Sequence, residues 1–364
     1  PILRKGSGFI MKKTLLALAV MTAAGSVSAA EIFKTDEGSV DFYGQLRTEL
    51  KISDDKVEYE YNDVTDMFDG TAKEGKTTLG AGSSRAGVDA KYALNDDLDI
   101  IGKVEFSVKE DEMKIRQHIL GFAGDFGSVK IGQQWTIADD IYGADYSYFY
   151  GGSALGYAQL NGAAHDSMIK YNYDADNFFV AANYGLDESQ SNQEVTEIFV
   201  GGSAGDLSGH VGFGQTTDET GADKVEDTYY QATVEYSFGK AGIGFTYYNT
   251  EIKNSEHKVT IDGISLAGTY AWADNATAYA GYEYTDQDTG NISVTGDFGK
   301  EDTSTVIYVG TDFHFNSWSR IYVEAAYQDG RTLGFTNKES DSFVNEPTIV
   351  DGALAFATGV RVYW

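Results

Sequence analysis

An alternating strand closes the sequence: Phe356-Ala357-Thr358-Gly359-Val360-Arg361-Val362-Tyr363-Trp364. Its apolar face carries Phe356 and Trp364, whereas Arg361 and Tyr363 share the other face. A soluble domain rarely ends on a bare aromatic strand, whereas an outer-membrane barrel turns such a face to lipid and closes on its last strand. The pattern therefore predicts an all-β transmembrane barrel whose closure and assembly depend on Phe356, Tyr363 and Trp364.

The same alternation recurs from Gly38 onward in segments of about ten residues. The first segment is the clearest, with Val40 and Leu46 on an apolar face and Asp41 and Arg47 on a charged one. A face with both signs of charge would be strange in a dry core. It is ordinary inside a water-filled barrel.

Turn signals divide these segments into an alternating series. Seven turns are short and rich in Gly, Asn and Asp: 95–97, 124–127, 175–177, 205–208, 239–242, 273–275 and 315–318. Eight connections are longer and polar: 53–78, 110–113, 136–165, 187–194, 218–227, 253–258, 288–303 and 330–350. We expect sixteen antiparallel strands, with short periplasmic turns and long extracellular loops.

A basic and apolar segment precedes the strands. Met11-Lys12-Lys13 is followed by an apolar stretch, residues 15–21, and by small residues up to Ala29. This is the pattern of a secretory signal peptide, and it is too short to span a membrane. We expect residues 1–10 to be an upstream extension, 11–29 the signal peptide, and 30–364 a single barrel domain exported to the outer membrane.

Charge and composition exclude several classes of function. The chain has 27 Lys and Arg against 56 Asp and Glu, a net charge of −29; its first 30 residues hold four of the bases and no acid, so the remainder carries −33. Such a chain is a poor partner for nucleic acid and attracts cations. It has no cysteine, no histidine pair at metal-ligand spacing and no nucleophile motif, so we expect no cofactor, no metal and no catalytic residue.

The connection 136–165 differs from the others in being both acidic and aromatic. The residues expected to form a pore constriction are Asp139, Asp140, Asp145, Tyr148, Phe149, Tyr150, Gly151 and Gly152. A sixteen-strand barrel is too wide for its side chains to fill, so this loop folded inside would narrow it. Loop acids facing wall bases would set a transverse field that selects ions.

Four bases are candidates for the pore wall. The alternation turns Arg47, Arg85 and Lys103 inward, whereas Arg116 shares its parity with the apolar Leu120 and its direction stays open. For each of these bases the alternative is a solvated wall charge without a special role.

The chain after the signal segment resembles the Gram-negative general diffusion porins. The resemblance rests on residues 30–33, Val40-Asp41-Phe42-Tyr43-Gly44, the stretch 121–132 behind Arg116, and the loop run 139–149. It implies a trimer of sixteen-strand barrels with three separate pores, passive passage of small hydrophilic solutes, and a constriction made by the third loop. It also implies outer-membrane lipid, lipopolysaccharide and the barrel insertion machinery as partners.

The sequence departs from that family at the constriction. Phe149 stands where enteric porins have a loop glutamate, and Gln45 where they have a wall lysine, whereas Asp145, Arg85 and Arg116 match. The resemblance therefore implies a slot with fewer bases that prefers cations. The alternatives are a substrate-selective channel with an aromatic track, a surface receptor or adhesin, and, less favoured, a barrel enzyme.

Overall fold

The computed structural model describes residues 30–62, 67–108, 113–141, 143–154, 160, 163–187, 194–219, 223–288, 302–332 and 348–364. The expected signal segment, 11–29, and the extension, 1–10, lie outside these residues. No helix in the described part of the chain is long and apolar enough to cross a membrane.

The described residues form twenty strands and one short helix. The strands are β1 (Ala30–Lys34), β2 (Gly38–Ser53), β3 (Lys56–Asn62), β4 (Met67–Lys73), β5 (Thr77–Gly80), β6 (Arg85–Ala93), β7 (Leu98–Ser107), β8 (Ile115–Gly124), β9 (Gly127–Trp135), β10 (Ala164–Asp174), β11 (Phe178–Gly185), β12 (Glu194–Ala204), β13 (Leu207–Asp218), β14 (Val225–Phe238), β15 (Ala241–Lys253), β16 (Lys258–Ala273), β17 (Ala276–Asp288), β18 (Thr303–Asn316), β19 (Ser319–Thr332) and β20 (Thr348–Tyr363). The helix is α1 (Ile137–Asp140), which lies between β9 and β10.

β2 and β6–β20 form a closed antiparallel barrel of sixteen strands. The expected fold class is therefore confirmed. All seven short turns lie where the sequence predicts them, within one or two residues.

The barrel closes between its first and last strands. β2 pairs with β20 from Gln45 opposite Tyr363 to Ser53 opposite Ala355. Gly44 and Trp364 then exchange two backbone hydrogen bonds of 3.1 and 3.2 Å. Closure leaves no sheet edge, so the backbone polar groups are satisfied within the protein.

The first long connection contains strands that the sequence does not predict. The sequence predicts a loop over residues 53–78, but they contain the hairpin of β3 and β4 and the first two residues of β5, which pairs with β2. The physical reason is local, because Val57, Tyr59 and Tyr61 alternate with polar residues and favour a strand.

The two faces of the barrel differ as a membrane requires. Phe356 and Val360 point outward and are 42% and 44% exposed, whereas Arg361, which follows Val360, is buried inside. Exposed aromatic side chains cluster beside the short turns: Tyr236, Phe238, Tyr270, Trp272, Phe315 and Trp318. These rings form the aromatic girdle typical of a membrane boundary.

Candidate functional site

The described part of the connection between β9 and β10, residues 136–141 and 143–154, lies inside the barrel. Its first turn, α1, is capped by Thr136, whose hydroxyl accepts from the Asp139 N–H. The N–H groups of Ile137 and Ala138 donate to the carboxylate of Glu197 on β12, at 2.6 and 3.4 Å. Each helix leaves its first N–H groups without an internal partner, and here a wall carboxylate accepts two of them.

Two further wall carboxylates hold the rest of this segment. Glu324 on β19 accepts from three successive N–H groups, those of Tyr148, Phe149 and Tyr150, at 2.6, 3.2 and 2.7 Å. Glu283 on β17 accepts from the Gly152 N–H at 2.8 Å and the Ser153 hydroxyl at 2.6 Å. Hydrogen bonds to charged acceptors are about twice as strong as neutral ones.

Aromatic side chains of the segment pack against the same wall. Tyr148 stacks on Tyr322 of β19 with ring centroids 4.3 Å apart, and its hydroxyl donates to Asp312 at 2.7 Å. The hydroxyl of Tyr146 donates to Glu235 of β14 at 2.6 Å. Burial raises the pKa of both loop tyrosines, so their hydroxyls stay protonated donors.

The glycine pair at 151–152 has a steric cause. A Cβ at Gly151 would collide with the Asp145 carboxylate and the Ser147 hydroxyl. Gly152 has φ +104°, in the region that glycine alone enters readily. The backbone therefore needs both glycines to fold the segment over Asp145.

The three loop acids occupy different environments. Asp145 is 7% exposed, and its carboxylate accepts from the Ser147 N–H at 2.8 Å. Asp140 is exposed and forms an ion pair of 2.6 Å with Lys170 on β10. Asp139 is half-buried and acts electrostatically on Arg116. The exposed charge of the loop is therefore carried by Asp140 and, in part, by Asp139, whereas Asp145 is folded into the loop.

The four candidate wall bases all face the lumen. Arg47 and Arg116 are buried, at 8% and 6% exposure, and Arg85 and Lys103 are half-buried. Their ion-pair partners are strand carboxylates, on the same strand for Arg47 and on an adjacent strand for Arg85, Lys103 and Arg116. The ion pairs are Arg47 with Glu49 at 3.8 Å, Arg85 with Glu105 at 3.8 Å, Lys103 with Asp89 at 3.3 Å, and Arg116 with Glu105 at 2.8 Å.

A β-bulge decides the direction of Arg116. The pairing of β7 with β8 shifts between Glu105, opposite Gln117, and Phe106, opposite Ile115. Arg116 is the extra residue, and the bulge turns it inward although its parity matches the outward Leu120.

The lumen holds bases that the sequence analysis did not single out as wall bases. Arg361 on β20 is paired in register with Arg320 on β19 and with Arg47 on β2. Lys170 on β10 is a further one. Strict alternation places Arg361 and Arg320 on the inward parity, so the signal was present in the sequence. Among the described residues, no group of three or more His, Asp or Glu side chains is placed to hold a metal ion.

The lumen thus has two unlike walls. We call β12–β19 the loop wall, because side chains of these strands bind the described residues between 136 and 154. We call β2 and β6–β10 the charged wall, because they carry the ion pairs of Arg47, Arg85, Lys103, Arg116 and Lys170.

Known proteins share both the sequence and the fold. The family model of Gram-negative porins matches residues 16–333. Porin-like protein H of Photobacterium profundum is 26% identical, over 88% of this chain and 95% of its own. A major outer membrane protein of Pasteurella multocida is also 26% identical, over 74% of this chain and 81% of its own.

Solved structures agree. OmpT, an outer membrane protein of Vibrio cholerae, is 44% identical and covers 92% of this chain and 100% of its own, with a TM-score of 0.78. A structure of OmpT in its trimer form is 45% identical, covers 90% of this chain and 100% of its own, and has a TM-score of 0.76. The expected family, outer-membrane location and non-enzymatic class are therefore confirmed. The chain belongs to the Gram-negative porins, a channel family of the bacterial outer membrane.

Proposed function

We propose that this porin is a passive, cation-preferring channel for small hydrophilic solutes and ions, narrowed by the loop 136–165. The observation that carries the proposal is the attachment of residues 136–154 to the loop wall through Glu197, Glu283 and Glu324. A barrel of sixteen strands leaves an aqueous lumen, and a segment fixed across one side of it limits the size of what passes.

The attachment explains why the constriction would have a constant size. Glu324 and Glu283 together accept from five backbone N–H groups between Tyr148 and Ala154 and from the Ser153 hydroxyl. Releasing the loop would remove the loop donors from both buried carboxylates, although Glu324 would keep the hydroxyl of Tyr279 at 2.8 Å. Loss of several hydrogen bonds to buried charged groups costs several kcal/mol. Passage would then be a matter of diffusion through a fixed opening.

Cation preference is supported by the charge balance. The chain outside its first 30 residues carries −33. Each of the four bases expected on the wall lies within 4 Å of a strand carboxylate, so local pairing offsets much of its field. Asp140 adds an exposed carboxylate on the loop.

The aromatic side chains of the loop do not favour a selective track. Tyr146, Tyr148 and Phe149 belong to a buried cluster with residues of the loop wall and do not line the lumen. A receptor or adhesin would act through the outer loops, and much of 288–303 and 330–350 lies outside the described residues.

A homotrimer is the proposed assembly, because a structure of the relative OmpT has a trimer form. The strands β6–β9 have only 9–10 residues, whereas β16 and β20 have 16. We expect the outer face of the short strands β6–β9 to contact the neighbouring subunits. Outer-membrane lipid, lipopolysaccharide and the insertion machinery remain predicted partners. So does export through residues 11–29.

Planar-bilayer recording of the purified protein, combined with liposome swelling in sugars of rising size, tests the proposal. We expect conductance in steps of three and a swelling rate that falls steeply with sugar size. A lack of channels, or swelling that saturates with one sugar and excludes others of equal size, would overturn it.

A further inference from the structure

A cavity of about 450 Å³ lies in the lumen beside the charged wall. Its lining includes Lys103 on β7, Lys130 on β9 and Lys170 on β10, together with Asp89 and Asp140. The volume falls in the range of small-molecule sites. No described part of the loop wall lines it.

Most charges of the cavity cancel in pairs. Lys103 is 3.3 Å from Asp89, and Lys170 is 2.6 Å from Asp140. Lys91, at the edge of the cavity, is 2.8 Å from Asp99.

Lys130 is the exception among the bases that line the cavity. Its ammonium forms no ion pair within the described residues, although it is only half-buried and reachable from the lumen. Lys130 is paired in register with Lys170, so two like charges lie directly opposite each other on adjacent strands. Such a pair is destabilising unless a counter-charge lies between or beside the two groups.

The nearby carboxylates do not supply that counter-charge in full. Lys103 and Lys170 repel Lys130, whereas Asp140 and Asp174 attract it, and Asp140 is already bound to Lys170. Asp41 also lines the cavity, but it lies on β2, and β6, β7 and β8 separate that strand from β9. Four strand spacings correspond to roughly 19 Å along the sheet.

We infer that Lys130 and Lys170 form a subsite for a small oxyanion of the phosphate class. Two ammonium groups on adjacent strands can donate to different oxygens of one phosphate, and lysine binds phosphate as a compact point charge. The anion removes the repulsion within the pair, and the cavity has room for it. The inference rests on the proposed function only in that the lumen must be open to solutes.

Phosphate binding can be measured without recording any ion current. A failure of the phosphate inference can therefore be distinguished from a failure of the channel proposal. Inorganic phosphate is titrated with the purified full-length protein in detergent, and the phosphorus NMR line width is recorded at constant ionic strength. We expect saturable broadening. Lys130→Gln is expected to weaken phosphate binding about tenfold, as for the loss of one charge-assisted hydrogen bond.

Lys51→Gln is the matched control, because it removes the same charge from another luminal strand, where Lys51 is 3.8 Å from Glu49 and 5.4 Å from the Phe149 ring centroid. This control is expected to keep wild-type binding, and so is Lys130→Arg. Asp140→Asn is expected to tighten binding, since it frees Lys170. Broadening that never saturates, or equal binding by the Lys130→Gln and Lys51→Gln proteins, would overturn the inference. If the Lys130→Gln protein does not fold, unchanged or weaker binding by the Asp140→Asn protein overturns it instead.

Discussion

The loop wall and the charged wall use their carboxylates in opposite ways. On the loop wall, Glu197, Glu283 and Glu324 are buried and accept from backbone N–H groups of the loop. On the charged wall, Glu105 and Asp89 are paired with bases of neighbouring strands. The carboxylates of the loop wall therefore hold a segment of the chain in place. The carboxylates of the charged wall instead offset the positive charge of that wall.

This difference separates the two properties of the proposed channel. The size of the opening would depend on the loop wall, because that wall fixes the loop. Ion preference would depend on the charged wall and on the exposed face of the loop, because unburied charges act on passing ions. Substitutions on the two walls should then change different observables.

Preventing closure of the barrel is expected to have the largest effect, because neither wall can then form. Deleting Tyr363 and Trp364 removes the two backbone hydrogen bonds with Gly44 and the pairing of Tyr363 with Gln45. We expect little protein in the outer membrane and loss of the mobility difference between unheated and boiled samples on SDS gels. Trp364→Phe keeps the backbone and an aromatic ring, and should assemble. Normal surface levels of the truncated protein would contradict the role given to this seam.

Loosening the loop wall is the next strongest change. Glu324→Gln keeps the shape of the side chain but points an amide donor at N–H groups that need an acceptor. Each hydrogen bond to a charged group contributes about 1.5–3 kcal/mol, so we expect a less stable loop, noisier current and a larger mean conductance. Glu251→Gln is the control, because Glu251 lies in ion pairs with Lys253 and Lys258 away from the loop. Identical recordings from the two variants would show that Glu324 does not hold the constriction.

A sharper test compares two acids of the loop. Asp140→Asn removes an exposed carboxylate and leaves Lys170 unpaired, so the reversal potential should move toward anions. Asp145→Asn removes a carboxylate that is 7% exposed and bound within the loop, so selectivity should change less and thermal stability more. A larger selectivity shift from Asp145→Asn would mean that Asp145 faces the permeating ions.

The smallest expected effect is that of Arg85→Ala. Arg85 and Arg116 both pair with Glu105, and Arg116 is the closer of the two to that carboxylate. Glu105 therefore keeps a partner when Arg85 is replaced. We expect a modest move of the reversal potential toward cations, roughly 1 kcal/mol or less in ion free energy, and a slightly larger conductance. Lys91→Gln, at the rim beside Asp99, serves as the control. A shift toward anions would contradict the assignment of Arg85 to the wall.

Period-two alternation was sufficient to predict the barrel and most inward residues. Arg47 and Lys103 lie where the burial of β2 and β7 follows the pleat, so alternation alone can indicate the direction of their side chains. Arg116 could not be assigned, because its direction depends on a bulge set by pairing with β7. The roles of Glu283 and Glu324 were also beyond reach. Their alternation predicts only an inward side chain, whereas their partners lie 131 and 176 residues away in the chain.

The zero-current potential of single channels in a KCl gradient tests the central claim most directly. We expect cation preference at low salt that weakens at high salt, because the screening length falls from about 10 Å at 0.1 M to about 3 Å at 1 M. Anion preference at low salt would contradict a lumen in which Arg47, Arg85, Lys103 and Arg116 pair with strand carboxylates and the loop presents Asp140.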